Sequence, residues 1–328
     1  MKLNTIFELS MTLDTETFQQ IFDMAYNKTG YLKEDRDEFV DTSLSSKGIT
    51  VIYRASQYKK RIRLLINLSL VVDDLSDTDR LLRKLDKRIA EYFDYKCHLG
   101  DFILSGMNLI TDIDVGSREN VLAYLKVLQR VGKVKGFSPA SYDGIDENSS
   151  FCLSGNSNAI DFLLYDLQKT IVDQLWDDGA GQQKMKSVSS HTQGILRAEV
   201  KLTKPKAIRA YTEAEDTAGQ IMELSKKCED VFLDTFIRII PFGDFYKKDK
   251  AVEIIWKEVK DSIMRRRMLR LLSLIPEKKS LLLAQKATNC RSVETIMDAF
   301  AKINLAPVTI SKRQDVTYLE NFYAFFLK

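Results

Sequence analysis

A chain of 328 residues with 45% hydrophobic and 29% charged residues carries enough apolar material for one large or two modest domains, which excludes compositional disorder and a fibrous structure. The formal net charge of +3 is too small to identify a polyanion ligand by itself, although Lys59, Lys60, Arg61 and Arg63 form one local basic cluster and Arg265, Arg266 and Arg267 another. Cys97, Cys152, Cys228 and Cys290 are scattered without a CxxC pair, the amino terminus lacks a basic start followed by an apolar core, and no apolar run reaches about 18 residues. A zinc site, export and membrane insertion are therefore not expected, and reduced thiols in the cytoplasm are.

Taken in chain order, Thr5 to Leu13 alternates as a strand, and Thr15 to Asn27 places Phe18, Ile21, Phe22 and Ala25 at helical spacing. Strands are expected at Ile49 to Tyr53 and Arg61 to Val72, then a helix from Asp77 to Phe93 with Leu81, Leu82, Leu85, Ile89 and Ala90 on its apolar side. A strand over Asn108 to Val115 leads into a helix over Arg118 to Val131, and Phe151 to Leu153 reads as a short strand. Asn158 to Trp176 carries Ile160, Leu163, Leu164, Leu167 and Ile171 at helical intervals and predicts a helix, while Ile195 to Leu202 alternates strictly as a strand. Gly179 to Lys184 is the best candidate for a flexible loop. Beyond residue 213 the pattern turns helical, over Thr217 to Ile237, Ala251 to Leu274 and Val293 to Lys302, with prolines 241, 276 and 307 near their ends. The expected fold is α+β: a mixed or antiparallel sheet with helices over residues 1–211, then a mainly helical C-terminal domain over 212–328.

Two strands carry groups suited to phosphate chemistry. In LITDIDVG, alternation puts Asp112 and Asp114 on one face; in ILRAEVKL it puts Arg197, Glu199 and Lys201 on one face and Leu196, Ala198, Val200 and Leu202 on the other. Carboxylates beside cations suit a divalent metal meeting a phosphate, with oxygen ligands favouring magnesium or manganese. Charged residues on the solvent side of a half-covered sheet need no metal, so the pattern also fits a solvated face. On the expected helix over 158–176, Asp161, Tyr165 and Lys169 follow at intervals of four, which sets a lysine one turn from a phenol. A tyrosine bordering an apolar helix face also serves simply as a packing residue.

The order of these elements resembles the rolling-circle replication initiators of filamentous phages and small Gram-positive plasmids. The residues that carry the resemblance are Asp112-Ile113-Asp114, Leu164-Tyr165-Asp166 and Arg197-Ala198-Glu199-Val200-Lys201-Leu202, spread over residues 1–210. Two departures stand out: Asp112 occupies the place of an arginine, and Leu167 that of a lysine, with Lys169 two residues further on. His98 and His191 are isolated, so the adjacent histidine pair of many related nickases is absent.

The resemblance implies an HUH-like core that nicks one origin strand through a covalent 5′-phosphotyrosine. Tyr165 would be the nucleophile with Lys169 beside it, and Asp114 and Glu199, with Asp112, would hold Mg2+ or Mn2+. Arg197, Lys201, Lys204, Lys206 and Arg209 would contact DNA that is single-stranded or extruded as a hairpin. A host helicase and polymerase are the implied partners, with no membrane. The C-terminal helices, with Arg265 to Arg267, would either grip origin duplex or support a homo-oligomer. Two other readings use the same residues: a DNA-binding relative that has lost catalysis, and a metal-dependent phosphodiesterase in which water attacks and Tyr165 is structural.

Overall fold

The computed structural model describes residues 2–29, 33–35, 38–56, 59–71, 77–177, 190–290 and 292–327. The fold is α+β, with antiparallel strand pairing and helices on the strands. It divides into two compact units built from non-consecutive stretches. Unit A comprises Leu3–Ile110 and Lys201–Phe232, and unit B comprises Met1–Lys2, Thr111–Val200 and Leu233–Lys328. The change of sequence pattern near Tyr211 falls inside the second stretch of unit A.

Unit A opens with β1 (Asn4–Leu13) and α1 (Thr15–Thr29), followed by β2 (Lys33–Asp35), β3 (Glu38–Asp41), β4 (Ile49–Ala55) and β5 (Lys60–Asn67). After a single helical turn, α2 (Leu68–Val71), come α3 (Thr78–Tyr92) and β6 (Ile103–Asp114), whose last residues belong to unit B. Its strands lie in the order β2-β3-β4-β5-β1-β6, antiparallel at every step. Period-two alternation decides the buried face: Phe7 and Leu9, Val51 and Tyr53, and Ile62, Leu64 and Ile66 are all buried. Against that face α1 sets Phe18 and Phe22, with ring centroids 6.3 and 5.5 Å from Tyr53. Helix α3 buries Leu81, Leu85, Ile89 and Ala90, and begins where the Asp77 carboxylate accepts the Arg80 N–H at 2.9 Å. Each leucine or isoleucine taken from water there contributes about 2 kcal/mol. Arg63 bridges Glu8 at 3.0 Å and Glu38 at 3.2 Å, as expected of strands with one polar face. The strand expected to reach Val72 stops at Asn67, whose side chain accepts from the Ser69 N–H at 3.2 Å and hydroxyl at 2.7 Å and turns the chain into α2.

Unit B takes the end of β6, then α4 (Arg118–Leu128), β7 (Phe137–Pro139), β8 (Ser150–Gly155), β9 (Ile160–Asp166), α5 (Leu167–Asp177) and most of β10 (Ile195–Leu202). A short helix α6 (Pro205–Ile208) and the first part of α7 (Thr217–Ile239) belong to unit A, and the end of α7 to unit B. Then follow β11 (Phe245–Tyr246), α8 (Lys248–Glu258), α9 (Ser262–Lys278), α10 (Leu281–Ala287), α11 (Val293–Lys302), β12 (Tyr318–Leu319) and α12 (Phe322–Leu327). The main strands of unit B lie in the order β6-β10-β9-β8-β7. One face of them meets an aromatic cluster: the Phe162 ring lies 5.9 Å from Phe236, Phe236 6.2 Å from Phe322, and Phe322 4.4 Å from Tyr124.

The helix expected over Ala251 to Leu274 is interrupted. Helix α8 ends at Glu258, and Asp261 starts α9 by accepting from the N–H groups of Ile263 at 2.8 Å and Met264 at 3.3 Å. The loop expected at Gly179 to Lys184 lies outside the described residues. No helix among the described residues is long and apolar enough to cross a membrane.

Candidate functional site

Tyr165 lies on a strand. The helix expected over Asn158 to Trp176 is replaced by β9, ending at Asp166, and by α5, starting at Leu167. Asp161, Tyr165 and Lys169 therefore do not form a helical stripe. The misreading has a physical cause, because β9 is buried on both faces. Phe162 meets the aromatic cluster, while Leu163 and Tyr165 pack with Cys152, Leu167, Tyr142, Ile145, Ile171 and Ile195 on the other side. A run of apolar residues without alternation fits a helical period as well as a strand. Lys169, in the first turn of α5, pairs with Asp173 at 2.9 Å and lies 3.7 Å from Asp146, so its ammonium is committed to those carboxylates.

The strands that carry the other two motifs are hydrogen-bonded neighbours, in the order β6-β10-β9. Val115 N–H, just past β6, donates to Gly194 O at 2.9 Å, just before β10. Gly194 has φ of 81°, and a Cβ there would stand 2.8 Å from the Gly116 carbonyl carbon, so this close backbone approach requires glycine. From this register Arg197 reaches across to Asp112 with two bonds, Nε to Oδ1 at 2.7 Å and Nη2 to Oδ2 at 2.9 Å. On the same side of β10, Glu199 Oε1 accepts the Tyr165 hydroxyl. Tyr165 and Glu199 are each 6% exposed, whereas the side chains of Arg197 and Asp112 are 30% and 42% exposed. A buried phenol–carboxylate pair thus adjoins a half-open arginine–carboxylate pair.

The electrostatics follow from this layout. Burial holds the Tyr165 phenol well above its ordinary range, the Glu199 charge raises it further, and the Arg197 guanidinium beside it offsets part of the rise. The bonds to Asp112 keep Arg197 firmly protonated against the opposing effect of burial. At neutral pH the phenol is neutral and donates to Glu199.

Each carboxylate expected to bind a cation has a hydrogen-bond donor of its own. Asp112 is taken by Arg197, Glu199 accepts from Tyr165, and Asp114 Oδ1 accepts the Gly116 N–H at 2.8 Å, shaping the turn into α4. Among the described residues, no three His, Cys, Asp or Glu side chains lie together in a way that would hold a metal ion. Two of the three carboxylates serve as hydrogen-bond acceptors for neighbouring side chains and the third for the backbone, so a cation here would share them with those donors. Of the expected DNA-contacting residues, Arg197 belongs to the cluster. Lys201, Lys204, Lys206 and Arg209 belong to unit A, the last three of them exposed. His191 is exposed, with Nδ1 3.2 Å from Ser190 Oγ.

Asp166 was read only as a neighbour of Tyr165 in the motif, and its part in starting α5 escaped the sequence reading. It is 2% exposed; Oδ1 accepts the Lys169 N–H at 3.1 Å and so starts α5, while Oδ2 has no hydrogen-bond partner among the described residues. An acid closing an apolar run and preceding a polar turn is the signature of a helix start, and that signal marks the true boundary between β9 and α5. No protein-family model matches this chain, and no curated protein matches it.

Proposed function

We propose that this chain is a DNA replication initiator of the rolling-circle type, which nicks single-stranded or extruded origin DNA through Tyr165. The observation that supports this reading is the pairing of a tyrosine hydroxyl with a carboxylate beside an arginine, on three adjacent strands that carry the three motifs of the resemblance. A nucleophile hydrogen-bonded to its base, with a cation at hand, is what covalent phosphoryl chemistry requires. A phosphate oxygen takes the place of Asp112 on Arg197, since the guanidinium fork that holds a carboxylate matches phosphate oxygens equally well. Glu199 accepts the phenol proton as the Tyr165 oxygen attacks phosphorus. The bond to the 3′ oxygen breaks, that oxygen gains a proton, and the 5′ phosphate stays on the tyrosine. Since the phenol is neutral at the outset, loss of its proton accompanies the attack. The ester conserves the energy to rejoin the strand, and the free 3′-hydroxyl serves a host polymerase. No step passes through a metal, whose role is an expectation of the strand pattern and of the resemblance.

The deep burial of Tyr165 favours a second reading, a DNA-binding relative that does not nick. Incubation of the protein and its Tyr165→Phe variant with labelled single-stranded origin DNA, with and without Mn2+, followed by denaturing electrophoresis, separates the two. A denaturation-resistant adduct present with the parent and absent with the variant establishes nicking by Tyr165. Binding without an adduct supports the non-nicking relative, and cleavage without an adduct supports attack by water.

A further inference from the structure

The three consecutive arginines of α9 have different surroundings. Arg265 donates from Nε to Val259 O at 3.0 Å and from Nη2 to Lys260 O at 3.2 Å, and its guanidinium carbon lies 4.5 Å from the centroid of the Trp256 ring. It ties together the break between α8 and α9. Arg266 and Arg267, with Arg270 one turn further on, line a cavity of about 610 Å3 whose other wall includes Thr288, Asn289 and Ser292, from the segment between α10 and α11. Among the described residues, no aspartate or glutamate lines it. Arg270 uses Nη2 to donate to Ala287 O at 3.3 Å, and Arg266 and Arg267 have no ion-pair partner among the described residues. Like charges at positions i and i+4 oppose helix formation, so α9 bears an electrostatic cost that an anion in the cavity would remove. Guanidinium forks match phosphate oxygens, and Asn289, in the left-handed conformation with φ of 53°, adds an amide to the same cavity. The volume is that of a site for a nucleotide-sized ligand.

We propose that this cavity is a phosphate-binding site, formed by residues outside the Tyr165 cluster, in which Arg266, Arg267 and Arg270 take a phosphate group. Its assignment to the DNA backbone, rather than to a free phosphate or nucleotide, rests on the proposed function. The test uses the full chain, the double variant Arg266→Gln/Arg267→Gln, and a charge-matched surface control, Lys257→Gln/Lys312→Gln. Each is titrated with a labelled oligonucleotide over a salt series, with inorganic phosphate and with a deoxynucleoside monophosphate, after thermal melting has shown that all three are folded.

For a backbone site, the arginine variant binds the oligonucleotide roughly tenfold or more weakly than the control, and its dependence of log affinity on log salt is shallower by about 2. For a free-ligand site, the variant loses phosphate or nucleotide binding while oligonucleotide binding is unchanged. Equal binding by variant and control to all three probes overturns the proposal, and a Tyr165 adduct formed by the same preparations would leave the proposed function standing. Conversely, phosphate binding lost in the variant, with no DNA affinity and no adduct in the parent, upholds the site and removes the initiator reading.

Discussion

At the scale of single residues, the Tyr165–Glu199 pair joins stability to proposed chemistry. Replacing Tyr165 by Phe deletes one hydrogen bond to a buried carboxylate, and a loss of about 1.5–3 kcal/mol in denaturant unfolding is expected. Glu199→Gln removes the proton acceptor but keeps the shape, so it should abolish the covalent adduct while DNA binding persists; an undiminished adduct yield would show that Glu199 is not the base. The folded phenol holds its proton more tightly than the unfolded one, whose ordinary value is 10.0, so its contribution to stability is complete below pH 10 and disappears as pH rises toward the folded value. Tyr53, Tyr92, Tyr124 and Tyr323 are displaced in the same direction by burial. The urea midpoint should therefore fall steeply above pH 10, and less steeply in Tyr165→Phe. A midpoint that stays flat to pH 11 would contradict the buried, neutral state of these phenols.

At the scale of elements, boundaries are set by short polar side chains that satisfy free N–H groups. Asp261 separates α8 from α9, and Asp261→Ala is expected to cost about 1 kcal/mol by thermal or urea unfolding, with little change in helical signal. Asp166 performs the same task at the start of α5 with one oxygen, while the other stays buried without a hydrogen-bond partner among the described residues. Gly132, with φ of 56°, lies so close to the turn after α9 that an added Cβ would stand 2.5 Å from Lys279 O. Gly132→Ala should therefore cost about 1–3 kcal/mol, through strain and displacement of the backbone that positions Ser280. The alternation that defines β1, β5 and β10 was legible because each has a polar side. β9 was not, because both its faces are covered.

At the scale of the whole molecule, unit B draws on both halves of the chain. Tyr124 of α4 donates to Glu320 O at 2.7 Å, Arg130 Nη1 to Thr309 O at 2.7 Å, and Ser280 Oγ to Lys133 O at 3.1 Å. Phe322, fully buried, packs at tilted and edge-on angles into the same aromatic cluster that covers β9. Phe322→Ala should lower stability by about 3–5 kcal/mol. A fragment ending at Tyr211 lacks these partners, so the unit that holds Tyr165, Glu199, Arg197 and Asp112 is expected to lose its cooperative thermal transition and the near-ultraviolet dichroism of its packed aromatics. A fragment that melts cooperatively would instead place an independent domain at 1–211.

Local pattern alone determined most strands and helices, because apolar periodicity is written in consecutive residues. It also placed Asp112, Asp114, Arg197 and Glu199 on strands with their parity correct. What the tertiary structure decided was adjacency: β9 beside β10, Tyr165 on Glu199 instead of Lys169, and Asp112 on Arg197. Those outcomes depend on which strands pair and in what register, and on which helices cover them. Pairing between residues dozens of positions apart leaves no trace in the spacing along a single strand.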